Sequence, residues 1–364
     1  MNNPFENTPP SAPADPFASP FAVDTAPRSE ALVFSGRGGE YFGIWIVNLL
    51  LTVLTLGIYS AWAKVRRLQY FHRHTTLGGA AFDYHGDPRA ILKGRVIGFL
   101  LLLGYNISFE VSPLLGMLVL GLLAAVMPLL LMRSLRFRAL NTSWRGLRFG
   151  FDGDPKGAYR AFLMWPLLSL FTLYLLAPMW HQRMKRYQLD NARFGATRFR
   201  FTAPVSAFYR MYGVLLLLLL LGMAVIGGMV LLMIEAVEGR RELAVLVPMA
   251  VLAGWVALFL LIQPYLTARL QNLVWNSTRL GAHRFESHAR ARTLYAITLT
   301  NLIAIVCTLG FFAPFAAIRT ARYRIESVTL VSAGPLDDFV AGQKQAVSAT
   351  GEESADLFDV DIAL

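Results

Sequence analysis

Between Val214 and Ile234 the chain runs for 21 residues without a charged side chain. At ~1.5 Å per residue, a helix of that length covers the ~30 Å hydrocarbon core of a bilayer. Similar apolar runs occupy Val96–Tyr105, Leu114–Met132 and Ala244–Ile262. A soluble domain can bury one such helix, but not several in 364 residues. Only 16% of the residues are charged, against about 25% in soluble domains. The chain is therefore expected to be polytopic, and inside lipid its backbone must satisfy its own hydrogen bonds.

A search for internal repeats organises the rest. Thr55-Leu56-Gly57 and the basic stretch Lys64–Arg67 recur as Thr172-Leu173 with Arg183, 117 residues on, and as Thr308-Leu309-Gly310 with Arg319, 253 residues on. Asn48 falls on Asn301 in the same register, and Tyr70 on Tyr187 and Tyr323. Two further copies keep only the second half, with Pro128/Arg133 and Pro264/Arg269 matching Pro178/Arg183 and Pro314/Arg319. Ala61 stands at the proline position of the first copy. A proline here is expected to bend a helix as it leaves the lipid. An arginine five residues later can reach the headgroups. Arg66, Arg133, Arg183, Arg269 and Arg319 are accordingly the candidate headgroup contacts.

After each basic stretch comes a glycine turn flanked by alternating aromatics, as in Gly78 with Phe82 and Tyr84, or Gly195 with Phe199 and Phe201. In the second copy the glycine, Gly146, sits one place later. This pattern reads as a turn and a short strand. The strands form either an aromatic belt at the interface or a small layer paired with one another. Gly86-Asp87-Pro88 and Gly153-Asp154-Pro155 start the next helices.

The expected fold is an all-α polytopic membrane protein with short interfacial β/turn elements. Seven apolar helical segments fall near 41–62, 90–108, 112–132, 157–179, 206–234, 244–268 and 294–318. Residues 1–33 read as a disordered tail, 34–330 as the repeat-built membrane domain and 331–364 as an acidic, solvated tail. That tail carries Asp337, Asp338, Glu352, Glu353, Asp356, Asp359 and Asp361 against Lys344; folding back onto the basic loops is the alternative. The loops after segments one, three, four and six are all basic, which places them together in the cytoplasm. Segments four and seven then begin and end on one side, although each is long enough for one crossing. Either segments one, four and seven re-enter, bent at Thr-Leu-Gly or Pro, or all seven cross and some basic loops face outward. The charge pattern favours re-entry.

The run Glu40-Tyr41-Phe42, Asn48-Leu49-Leu50-Leu51-Thr52 and Thr55–Arg66, continued by Tyr70-Phe71, Gly86 and Ile91–Arg95, resembles the bacterial YjgN-like inner-membrane proteins. That family has no assigned function. The likeness extends from Phe34 to about Ile325, and Ala61 departs from the family's usual proline. The resemblance implies a multi-pass protein of the bacterial inner membrane and carries over no catalytic or ligand residues.

No phosphate-binding glycine loop, His-Glu-x-x-His or Gly-x-Ser-x-Gly occurs. His72, His74, Asp83 and His85 could be drawn as a metal cluster. However, His74 aligns with Asn141 and Asn191, so the position calls for a polar helix-ending group. No metal, cofactor or enzymatic activity is expected. The net charge of +11 follows from membrane orientation and gives no reason to expect nucleic acid. Cys307 reads as a small hydrophobe. Asn48 and Asn301 read as hydrogen-bonding glue between helices. Two functions stay open: a transporter or channel-like protein, and a scaffold that holds anionic lipid headgroups.

Overall fold

The computed structural model describes residues 28–237 and 245–350; the outer parts of both expected tails lie outside the described residues. Eleven strands among the described residues make one antiparallel sheet. β1 (Arg28–Ala31) and β2 (Val33–Phe34) are followed by four hairpins: β3–β4 (Thr75–Leu77, Ala80–Tyr84), β5–β6 (Thr142–Trp144, Leu147–Phe151), β7–β8 (Ala192–Phe194, Thr197–Phe201) and β9–β10 (Thr278–Leu280, His283–Ser287). β11 (Val328–Ser332) completes the set.

The sheet closes on itself. β1 pairs with β11 and β2 with β3, yet only Leu32 separates β1 from β2. Leu32 donates to the Val328 carbonyl (3.1 Å) and Ser35 to the His74 carbonyl (2.9 Å). Residues an odd number apart on a strand direct their N–H groups to opposite edges. The segment 28–35 therefore joins the two ends into a barrel, which leaves no open edge.

The hairpin turns explain the displaced glycine. Gly78-Gly79 and Arg145-Gly146 have positive φ at both positions, the type I′ pattern. Gly195 and Gly281 alone are positive in their turns, as in type II′. Glycine occupies the second place in one kind and the first in the other.

Five helical units leave and rejoin the barrel between successive strands. The first is α1 (Gly38–Leu54) with α2 (Ser60–Arg73), and the second α3 (Pro88–Val111) with α4 (Pro113–Leu140). The third comprises α5 (Pro155–Tyr159), a π-helical turn (Arg160–Met164), α6 (Trp165–Phe171) and α7 (Ala177–Asp190). The fourth is α8 (Val205–Val237) with α9 (Leu246–Asn276), and the fifth α10 (Ala291–Cys307) with α11 (Ala313–Glu326). Each helix packs on its chain neighbour and α11 packs on α1, so the units form a ring.

Among the described residues, only α3, α4, α8 and α9 are long and apolar enough to span a bilayer. The expected apolar segments one, four and seven are each broken into a hairpin, so the seven-segment, all-α description is corrected to four spanning helices, three helical hairpins and a barrel. The physical reason lies in the tethering. Both ends of every unit are fixed to one sheet, and a unit of two short helices can only go out and come back.

The breaks fall at Thr-Leu-Gly in the first and fifth units and at Thr172-Leu173-Tyr174 in the third, where Tyr174 takes φ of +64°. Leu56, Leu173 and Leu309 have φ near +50° and are 87–95% exposed at the hairpin tips, a placement suited to lipid. Their backbone is satisfied internally. The Thr55 hydroxyl donates to Leu51 O (2.7 Å) and accepts from Tyr59 N (2.9 Å), while Gly57 N reaches Thr52 O (2.7 Å). Thr308 repeats this with Ala304 O and Phe312 N. Gly57 and Gly310 supply φ of +92° and +95°, which other residues adopt only with strain.

The prolines fall in two settings. Pro178 and Pro314 lie in the first turn of α7 and α11, where no hydrogen bond is lost. Pro128 and Pro264 lie inside α4 and α9 and are fully buried, as Ala61 is. The position is a tight helix contact.

The strands pair with one another, and their aromatics line the barrel. Phe82, Trp144, Phe149, Phe194, Phe199 and Phe285 stack in sequence with ring centroids 5.0–6.4 Å apart. Part of the region expected to be an acidic tail forms α12 (Leu336–Thr350), folded back as in the alternative reading; Glu352, Glu353, Asp356, Asp359 and Asp361 lie outside the described residues. The helix closes the barrel end that carries the hairpin turns. Leu336 and Val340 are buried in the aromatic core. Asp337 pairs with Arg145, and Gln343 Oε1 accepts from Ala196 N (2.8 Å) and Thr197 N (3.1 Å). Hydrophobic anchoring on the barrel core outweighs solvation of two acids.

Two outcomes follow from this architecture. In a Cys307→Ala background, Lys156→Cys and Ser206→Cys flank the third unit and should react with an impermeant thiol reagent from the same side. Glu110→Cys, in the last turn of α3, should react from the other side; Ser206→Cys grouping with Glu110→Cys would show that the third unit crosses. The second outcome concerns His283, whose Nδ1 accepts from Ala333 N (3.2 Å) just ahead of α12. Burial holds its pKa below the ordinary value, so the unfolded chain takes up the proton first as pH falls. The stability it contributes is present above about pH 6.5 and is lost as pH drops through the native pKa. Proteolysis within α12 should accelerate in that acid window, and His283→Gln should flatten the dependence.

Candidate ligand cavity

The basic positions singled out in the sequence form a girdle. Arg66, Arg133, Arg183, Arg269 and Arg319 each lie seven residues before the last residue of a returning helix, about 10 Å along it from the barrel. Arg66, Arg133, Arg269 and Arg319 are exposed and Arg183 is half-buried. Three sit over aromatic rings: Arg66 on Tyr59, Arg183 on Trp165 and Arg269 on Tyr265, at 5.8–5.9 Å. Arg319 is held differently, donating to Asn301 Oδ1 (2.8 Å) and Thr300 Oγ1 (3.2 Å). These contacts fasten the arginine stems to their own helical units.

None of the five lines the main cavity. That space, ≈ 790 Å³, lies inside the ring against α2, α9, α10 and α11, with Leu32 and Val328 of the barrel at its base. Arg67 and Phe71 contribute from α2, and Gln271 and Trp275 from α9. Thr298, Asn301, Thr320 and Arg324 line it from α10 and α11. Farther from the barrel, Phe259, Leu260, Leu302 and Ile305 form apolar walls.

Its electrostatics are one-signed. No carboxylate lines this cavity or the smaller one of ≈ 280 Å³ that shares Arg67 and Phe71 with it and adds Lys64. Lys64 has Arg95 and Arg138 as its charged neighbours. Arg324 is tied to α9 by a reciprocal pair: its Nε donates to Gln271 Oε1 (2.9 Å), and Gln271 Nε2 donates to Arg324 O (2.8 Å). The terminal guanidinium nitrogens stay outside this pair. Asn301 is buried and donates toward Ala316 O and Thr320 Oγ1 (3.4 and 3.3 Å), the helix-joining role expected for it. Asn48 is buried with its Oδ1 unbonded. A cleft whose described lining carries cations and no acid focuses potential on an anion.

Sequence reasoning named Arg66, one residue before Arg67, and Arg319, five before Arg324. At about 100° per residue, one step turns a side chain by about 100° and five by about 140°, enough to change the face it occupies. Extending the repeat register to ask which position faced inward would have found them. The residues once drawn as a metal cluster are engaged elsewhere. Asp83 pairs with Arg73 (2.9 Å), and His85 meets Ser143 Oγ (2.8 Å). His74, Asn141 and Asn191 each bond the carbonyl four residues back (2.7–2.8 Å) and so finish their helices.

The family described as bacterial protein of unknown function (DUF898) matches residues 29–357. The chain is 34% identical over 153 residues to inner membrane protein YjgN of Salmonella typhimurium (strain LT2), covering 41% of this chain and 38% of that protein. It is 34% identical over 146 residues to inner membrane protein YjgN of Escherichia coli (strain K12), covering 38% and 35%. The chain thus matches under two fifths of the length of these curated relatives. No solved structure matches it. With its four apolar helices, this is a multi-pass inner-membrane protein.

Arg67 has no carboxylate to offset its charge, so Arg67→Met should leave thermal stability in detergent within about 0.5 kcal/mol of the parent or raise it. A clear loss would instead mark Arg67 as a structural residue.

Proposed function

The chain belongs to the DUF898 family of bacterial proteins, and on that premise we propose that it is a transporter- or channel-like protein whose helix ring receives a solute. The observation that carries this reading is the ≈ 790 Å³ cavity between α2, α9, α10 and α11. Its size suits a small-molecule site, with a few polar groups set among apolar walls. Broken helices facing a shared cavity are also how many transport sites are constructed. The repeated helix-plus-hairpin unit, used five times with the middle helices lengthened in two copies, supplies such broken helices. The guanidinium, amide and hydroxyl groups present serve binding and orientation, and we propose no catalysis.

The basic helix termini support a cytoplasmic barrel by the positive-inside rule. The arginine girdle supports a second role, in which it holds anionic headgroups at ~1 kcal/mol per basic residue. That role is compatible with the first, since the girdle and the cavity use different side chains.

The test is access to Thr298, which lies in the cavity wall. In Cys307→Ala membranes, Thr298→Cys should react with an impermeant thiol reagent from both sides, at different rates. Reaction from one side only would reduce the role to binding without passage. Protection from both sides would return the protein to a scaffold around a solid bundle.

A further inference from the structure

The cavity is polar at one end and apolar at the other, along the direction of the helices. Arg324 lies two residues and Gln271 five residues before the ends of α11 and α9, and Arg67 lies six before the end of α2. All three are within about 10 Å of the barrel. Leu260 is 16 residues from the end of α9, and Ile305 is 14 from the start of α10, about 20–24 Å from it. At that depth Gln263 is turned to Thr267 Oγ1 (3.2 Å) within its own helix, which leaves the upper wall largely apolar. The base is closed by the filled barrel, whose core is stacked aromatics and α12.

A free inorganic anion would use the basic end and leave the apolar end wet. A neutral apolar solute would leave Arg67 and Arg324 without a counter-charge. From this pairing we infer that the cavity binds an anionic amphiphile, with its head at Arg67, Gln271 and Arg324 and its chain between α9 and α10. The inference rests on reading the cavity as a ligand site, but it does not require passage across the membrane. The bilayer itself is a source of such molecules, and the filled barrel leaves the membrane side as the approach. The guanidinium groups suit a phosphate or carboxylate head, because planar donors pair with two oxygens at once.

The test is retention of short-chain phosphatidylglycerol by the purified full chain, measured by native mass spectrometry against phosphatidylcholine of the same chain length. The acidic lipid should be retained and the zwitterionic one lost. Arg67→Gln and Arg324→Gln should each weaken retention by about tenfold or more. Arg200→Gln, an exposed change on β8 away from both the cavity and the girdle, should leave it unchanged. Ile305→Asn should weaken retention of the lipid while leaving any binding of inorganic phosphate intact. Melting temperatures close to the parent's show that the variants are folded; if Arg324→Gln unfolds, Arg67→Gln carries the test alone. Equal retention of both lipids, or indifference to Arg67→Gln, overturns the inference. So does inorganic phosphate binding as tightly as the lipid, which would make the ligand a free anion. Failure of the Thr298→Cys access test with lipid retention intact would remove transport and leave this site standing.

Discussion

Every helical unit of this protein is fastened at both ends to one closed sheet, and most of the architecture follows from that tether. A unit that starts and ends on the barrel crosses the membrane an even number of times or not at all. With about 30 Å of hydrocarbon to cover, α3–α4 and α8–α9 have the length for a crossing and return, and the other three units do not. The closure depends on a short segment. Residues 28–35 hydrogen-bond β11 on one edge and β3 on the other, which joins the first unit to the last and lets α11 pack on α1.

The shorter units face a second constraint, because a chain reversing inside lipid cannot leave backbone groups unbonded. Thr-Leu-Gly meets it with three residues. The threonine hydroxyl bridges the end of one helix and the start of the next, the glycine allows the reversal, and the leucine between them faces outward. The same chemistry at Thr308 shows that the motif is a turn suited to hydrocarbon. A soluble helix–turn–helix has no need to bond its turn so completely, since water serves it.

The barrel is filled and is no conduit. Stacked aromatics occupy its interior and α12 closes the turn end through the Arg145–Asp337 pair and Gln343. Open space lies on the membrane side, within the ring, where two cations stand without acids. The proposed ligand site draws on this arrangement, since an anionic group would offset both charges.

The sequence by itself determined the membrane setting and the positions of the turns. These rest on local properties: charge-free length and turn chemistry. It was also right that His74, Asn141 and Asn191 fill one helix-ending role. Only the tertiary structure decided that strands a hundred residues apart join in one barrel, because three-residue strands carry too little pattern to reveal their partners. It likewise decided that residues 336–350 dock, since Leu336 and Val340 look unremarkable until an aromatic core is set opposite them. The choice of Arg67 and Arg324 over Arg66 and Arg319 was tertiary as well. Charge is written in the sequence, but which way a helix turns that charge is set by the neighbours packed around it.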